Sequence, residues 1–356
     1  MDGPGAWLSL PLPARLVRAV SPRRELAAVA DRSWVIEPAS DERTGPAVFV
    51  AEDLDRVTRL QAETDRALEH RRVHGGPVHH LPTLAHAVRA VRLRSGHLYA
   101  RGWHRPVTPR PQRWFGAAPA RYVGPTSALA CTWVGNRYFG HALTDDLPLD
   151  LLAQEFGPAV RSDDPPTPQA GEYRDVCGAR AESVSHAVFD RLIVFEDVAQ
   201  NVSKRERYRR IRERLSRWGA SAPGAPHATA VFLRRGGGAT RQLDNESEVE
   251  QWLQRRGFAI VDPSTTSVAR IVQMLSGARC VVGVEGSQLA HAVYAMPLGG
   301  AITALVPGDR FNNVFKDYAD AIGLRYGFTV CPPAPRGYRC DLSRLGQVLD
   351  RLQGEI

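Results

Sequence analysis

GARCVVGVEGSQLAHAVYAMPLGGAITALVPG, residues 277–308, decides the fold. Cys280, Val281 and Val282 form an apolar run rich in β-branched residues, the pattern of a strand covered on both faces. Gly283 and Gly286 bracket a tight turn. Ser287 stands where a helix N-cap belongs. Leu289, Ala290, Ala292, Val293 and Tyr294 follow as helix, and Pro297 and Gly299 stop it. Residues 301–306 are the next buried strand. A glycine turn feeding a helix aims several backbone N–H groups at one point, with the positive end of the helix dipole behind them. That arrangement seats an anion such as a phosphate. An ordinary strand–helix turn, with glycines for packing alone, has the same spacing.

Strands alternate with helices on both sides of this stretch. Residues 228–233 read as a strand, which Arg234 and Arg235 end. Gly236 to Gly238 and Arg241 follow, a basic glycine loop that suits either an anion or no ligand at all. A helix starts at Asn245-Glu246, then come a strand at 258–261 and a helix at 268–275. Downstream, a helix at 312–322 precedes a strand at 326–330, and residues 341–352 form a terminal helix. This alternation predicts a parallel, doubly wound sheet, whose ligands sit at the carboxyl ends of the strands, where Arg234 and Glu285 both fall.

Upstream, residues 132–156 read TWVGNRYFGHALTDDLPLDLLAQEF. His141 and Asp145 are four apart and share a helix face, so the carboxylate can orient the imidazole and raise its basicity. Alternatively Asp145 or Asp146 is only a cap before Pro148, which removes the helical hydrogen bond to Thr144. Residues 203–218 place Tyr208, Ile211, Leu215 and Trp218 on one face of a charged helix, expected to lie on the surface between two domains. GASAPGAP, 219–226, is a linker. Residues 33–36 and 47–50 read as short strands, 54–70 as a surface helix, 88–93 with 97–100 as a hairpin about Ser95-Gly96, and 187–195 as a strand. His74, His79, His80 and His86 lie on a loop-like segment without an accompanying ligand set, so a solvated loop is expected rather than a metal site.

At 356 residues, 43% hydrophobic and 24% charged, the chain has the length for two cores and an ordinary globular composition. Lys occurs only at 204 and 316, so all but two of its 46 basic residues are Arg. The net charge of +8 favours anionic partners such as a nucleotide diphosphate. A nucleic acid is expected to bind the 203–218 helix only weakly and non-specifically. The five cysteines have no metal spacing and read as reduced thiols of a cytoplasmic protein. Residues 1–14 do not read as a signal peptide, and no stretch is long enough to span a bilayer.

Five motifs together resemble the bacterial, capsular-polysaccharide-type branch of glycosyltransferase family 61. FLRR at 232–235 resembles its strand ending in Ser-Arg, and RQLDNE at 241–246 its Arg-x-x-x-Asn-Glu. GFAIVDP at 257–263 and VVGVEGSQLAHAVYAMPLG at 281–299 resemble its Gly-Phe strand and its Gly-x-His-Gly-Ala turn and helix. YFGHALTDDLP at 138–148 resembles its Gly-His-Trp segment, with Asp145 matched. Glu285, Ser287, His291 and Ala142 stand where the family usually has His, Ala, Asn and Trp.

The resemblance implies an α/β, GT-B type fold of two Rossmann-like domains facing a cleft. The N-terminal domain, 1–218, would bind the acceptor, and a linker at 219–227 would join it to a nucleotide-sugar domain at 228–330. The helix in 331–356 can pack back on the N-terminal domain. It implies an inverting transferase using a nucleotide-diphosphate-sugar, a hydroxyl acceptor, no metal and no other cofactor, with a homodimer compatible. His141, oriented by Asp145, is the base candidate. Arg234, Arg235, Arg241, Asn245, Glu285, Gly286, Ser287, Gln288 and His291 are expected around the donor. The departures at 285 and 291 also fit a non-catalytic nucleotide- or glycan-binding module.

Overall fold

A computed structural model describes residues 25–110, 119–220, 228–235 and 240–354. The C-terminal half is built on five parallel strands in the spatial order Ala259–Val261, Ala230–Leu233, Cys280–Val284, Ala301–Pro307, Arg325–Cys331. In chain order this is 2-1-3-4-5, so the order reverses between Ala230–Leu233 and Cys280–Val284. Alternate side chains serve opposite faces. Val231, Leu233, Val281, Ile302 and Val306 pack under the helices Val268–Ser276, Ala290–Ala295 and Val314–Ile322. Phe232, Val282 and Leu305 pack under Glu246–Arg255 and Leu342–Gly354. The last helix thus covers the C-terminal sheet. It also touches residues 48–53 of the N-terminal half, packing Val348 and Leu352 against Val48 and Val50, donating from Arg344 to Asp53 (2.8 Å) and from Arg351 to the Phe49 carbonyl (2.7 Å).

The N-terminal sheet is mixed, not a second doubly wound sheet. Its spine is the long antiparallel pair Thr83–Arg94 and His186–Glu196. The hairpin to His97–Ala100 turns at Ser95 and Gly96, both left-handed (φ 46° and 75°), a backbone that matches strand twist. On the other side Ser127–Leu129, Ala159–Arg161 and Glu182–Ser183 run parallel to His186–Glu196. The helical residues 139–153 and the helix Pro168–Val176 connect them.

The two halves interlock. Tyr208, Ile211 and Leu215 of the helix Val202–Ala220 are fully buried in the same cluster as Val231, Val272 and Val281. Lys204 and Arg207 are buried too, so one side of this helix is core rather than surface. The helix runs through residues 219 and 220 of the expected linker, whose remaining seven residues lie outside the described ones, as do 1–24 and Gly236 to Gly238. Residues 47–50 make a single bridge, Val48 to Gly327, instead of a strand. The helix expected at 54–70 begins at Arg66, because Asp65 accepts the Leu68 N–H as its cap (2.8 Å). Residues 57–61 are instead strapped to Gly308 and Phe311.

Candidate functional site

Residues 139–153 are one continuous helical stretch with a π turn at Ala142–Asp146, where the Leu147 N–H reaches back to the Ala142 carbonyl. Pro148 has no N–H to return to Thr144. The freed Thr144 carbonyl accepts the Tyr208 hydroxyl (2.9 Å), and the Leu143 carbonyl accepts the Tyr294 hydroxyl (2.8 Å). Two buried tyrosines from other elements thus satisfy a turn that local hydrogen bonding leaves short.

The π turn presents His141 and Asp145 side by side. His141 Nδ1 lies 2.7 Å from Asp145 Oδ2. A carboxylate only accepts, so Nδ1 carries the proton and Nε2 keeps its lone pair. Asp145 Oδ1 accepts from Lys204 Nζ (3.2 Å), which also donates to the Asp197 carbonyl (3.0 Å). Burial opposes the charged form of Asp145, yet Lys204 and His141 outweigh it and hold the carboxyl at about 2. Burial also opposes a charged His141, but Asp145 prevails and raises its pKa above the ordinary imidazole value. Neither aspartate caps a helix. Asp146 is buried, accepts from the Thr132 N–H and hydroxyl (both 2.8 Å), and is pushed by that burial up to about 7. A Cβ at Gly135 would overlap its carboxyl, so that position has to be small.

The second cluster lies at the switch point of the parallel sheet. Gly286 (φ 156°) carries the turn after Cys280–Val284 in a conformation open to glycine. The expected bare-amide anion seat is covered, because the Arg235 guanidinium lies over Gly286 and donates to the Glu285 carbonyl (2.8 Å) and to Gln288 Oε1 (3.3 Å). Burial and neighbouring Arg241 bring Arg235 down to about 10. The Glu285 carboxylate accepts from Arg241 (2.7 Å) and from Arg310 (2.8 Å). Two guanidiniums therefore hold the Glu285 carboxylate and a third its backbone carbonyl, leaving the turn cationic. Arg241 has a left-handed backbone (φ 73°) and a buried Nε without a partner. Ser287 does not cap the helix with its side chain.

Several expected contacts are placed elsewhere. Arg234 turns away to a two-pronged pair with Glu250. The Asn245 side chain is spent on the Cys340 backbone, accepting its N–H (3.0 Å) and donating to its carbonyl (2.9 Å). His291 is buried against Phe139 and Tyr173, with Nδ1 2.7 Å from the Tyr173 hydroxyl, and burial pushes its pKa down to about 3. The four upstream histidines do not converge. His79 pairs with Asp41, His80 with Glu42 and His86 with Ser33, while His74 stacks near His70. Among the described residues no group of three or more His, Cys, Asp or Glu is arranged to hold a metal.

The two clusters meet across the halves. A Cβ at Gly140 would sit 3.2 Å from Ser287 Cα, so the absence of a side chain brings the His141 turn against the Glu285–Ser287 turn. Tyr138, 6.0 Å from His141 between ring centroids, lies close enough to Arg241 to act on its charge. His141 and Asp145 line a cavity of about 1120 Å³, which opens beside Trp133, Arg105, Asp317 and Tyr318. Arg235, Arg241 and Glu285 lie outside that cavity. Sequence reasoning missed Lys204, Arg310 and Arg105. Only the rarity of lysine marked the first, and nothing local marked the others.

Among the described residues no helix is long and apolar enough to cross a membrane. No curated protein matches the chain. Among solved structures, the metal-soaked flavodiiron core of Flv1 from Synechocystis is 12% identical, with 61% of this chain and 51% of that one covered and a TM-score of 0.26. An alcohol dehydrogenase from Thermotoga maritima is 11% identical, with 48% and 53% covered and a TM-score of 0.19. The chain spans about half the length of each, and likenesses this slight leave the fold to be read from the chain itself. The family model described as Glycosyltransferase 61 matches residues 139–302, the segment carrying His141, Asp145, Lys204, Arg241 and Glu285, and this match supports a glycosyltransferase function.

Proposed function

We propose that the chain is an inverting, metal-independent glycosyltransferase that moves a sugar from a nucleotide-diphosphate-sugar to a hydroxyl acceptor in the cytoplasm. The observation that carries this reading is the chain Lys204–Asp145–His141 on the wall of a large cavity, packed against the Glu285–Ser287 turn. In an inverting transfer the acceptor oxygen attacks the anomeric carbon opposite the leaving group. His141 Nε2 takes the hydroxyl proton as the C–O bond forms, and the diphosphate leaves with the electron pair of the broken bond. Charge then develops on the leaving phosphate, and Arg241, Arg310 and Arg235 are the cations beside the turn that meet it. Arginine takes the role that a divalent cation fills in other transferases. The strained, partly unpartnered Arg241 fits a side chain held for a ligand. The fit requires Glu285 to share its arginines with the incoming phosphate.

That requirement is also what favours a second reading, a nucleotide- or glycan-binding module without catalysis, since Glu285 already satisfies Arg241 and Arg310. Donor hydrolysis separates the two. A panel of nucleotide-sugars screened by thermal shift identifies the donor, because a ligand of the folded state raises the melting temperature. Purified protein is expected to hydrolyse that donor slowly and to transfer it with an acceptor, unchanged by EDTA. His141→Ala is expected to lower kcat by about 10²-fold or more. Full activity of His141→Ala removes the base assignment, and a chelator-sensitive rate removes the arginine assignment.

A further inference from the structure

The cavity that His141 lines holds cations whose charges are almost all answered within the protein. Arg71 and Arg72 are bound by Asp317 and Arg205 by Glu42, while the rings of His79 and His80 hydrogen-bond Asp41 and Glu42. Among the described residues Arg105 is the cavity-lining cation that makes no hydrogen bond or ion pair. It lies on the strand Trp103–Pro106 and pairs in register with Leu98, which is fully buried, so its side chain enters from the core face of the hairpin. Burial lowers the guanidinium pKa, while Glu196 and Cys131 act on it only through space. Glu196, which also lines the cavity, lies 3.7 Å from His86. A half-buried cation without a partner is costly to keep, and an oxyanion arriving in the cavity relieves that cost through two parallel N–H···O bonds.

We propose that the acceptor taken by this cavity is an anionic hydroxyl compound, a sugar acid or a sugar phosphate, whose carboxylate or phosphate is clasped by Arg105 while its hydroxyl faces His141. This deepens the transferase reading and rests on it for the fate of the hydroxyl, but not for the binding of the anion. Each of the other cavity-lining cations already holds a carboxylate, so Arg105 sets the charge of the ligand. Neutral sugars would leave that guanidinium unanswered.

The test is binding to the full chain, followed by ligand-observed NMR, of methyl glucoside, methyl glucuronide and glucose 6-phosphate. At least one of the two anions is expected to bind about tenfold tighter than the neutral glucoside, the size of a charge-assisted hydrogen-bonded pair. The better anion tells a carboxylate acceptor from a phosphate one. Arg105→Gln is expected to abolish the preference, Arg105→Lys to keep part of it, and Arg241→Gln to leave it intact, which separates this site from the arginines beside Glu285. Equal binding of all three probes, no binding of any, or a preference that survives Arg105→Gln overturns the proposal. Donor hydrolysis on the same preparation keeps the two readings apart. An Arg105-dependent preference without hydrolysis leaves the anion site standing and the transferase failing, and hydrolysis without the preference does the reverse.

Discussion

His141 is a useful base only if its proton affinity is set high enough to take a hydroxyl proton and low enough to be free at the working pH. Two neighbours set it in opposite directions. Asp145 raises the imidazole pKa above its ordinary value, and Lys204 lowers it. The base must be neutral, so activity rises as pH passes upward through the His141 pKa. Asp145→Asn removes the raising influence. It is expected to shift the acid limb of the kcat/KM profile to lower pH and to cut kcat. Lys204→Met removes the lowering influence and is expected to shift the same limb to higher pH. Limbs that stay in place in both variants would detach His141 from the profile. Asp146, one residue on, behaves differently because it has no cation in close contact, with Arg161 Nη2 4.0 Å away. Its folded pKa of about 7 lies above the ordinary carboxyl value of 3.8, so the folded state holds a proton that the unfolded state releases. Between roughly pH 4 and 7 this group therefore makes the fold less stable as pH rises, and above 7 the effect is constant. Urea titrations at pH 5 and 7 are expected to show a smaller fall in stability for Asp146→Asn than for wild type.

The helical stretch 139–153 works through its π turn, which is held from outside. Removing the Tyr208 hydroxyl leaves the Thr144 carbonyl orphaned in a buried place. Tyr208→Phe is expected to cost about 1–3 kcal/mol of stability and to lower kcat while the donor KM stays near wild type. Tyr294→Phe is expected to act similarly through Leu143, and the double variant to lose less than the sum, since both pin one turn. A purely structural role for these tyrosines predicts lost stability with kcat intact. The same elements show what a sequence discloses. The parallel strands were legible because Val231, Val281 and Val282 sit in apolar runs buried on both faces, and the Ser95-Gly96 turn because few residues tolerate left-handed backbone. The His141–Asp145 spacing and the missing bond at Pro148 were legible too, being local. The π turn was not, since the tyrosines that stabilise it are 64 and 151 residues away in sequence. Nor was the covering of Gly286 by Arg235. A glycine turn shows that something approaches closely, and here a side chain of the protein itself does so.

At the scale of the molecule, the two sheets share buried packing. The helix Val202–Ala220 was read as charged surface because Arg and Glu dominate it, yet its apolar stripe is the bolt between the halves. Burial of Lys204 and Arg207 on the same helix depends on Asp145 and Asp197, supplied from elsewhere in the chain. Shared packing holds the His141 turn against Ser287, so the proposed transfer is expected to proceed without the halves swinging together. Leu215 is the cleanest probe, being fully buried in the cluster the halves share. Leu215→Ala is expected to cost about 2–5 kcal/mol and to lower one cooperative unfolding transition, with amides of Cys280–Val284 and His186–Glu196 losing exchange protection together. If the halves were independent domains on a hinge, calorimetry would show two transitions and the strand Cys280–Val284 would keep its protection while the N-terminal sheet lost its own. In that case the Gly140–Ser287 contact would be one snapshot of a moving pair, and the distance from base to donor would be set by closure rather than by the core.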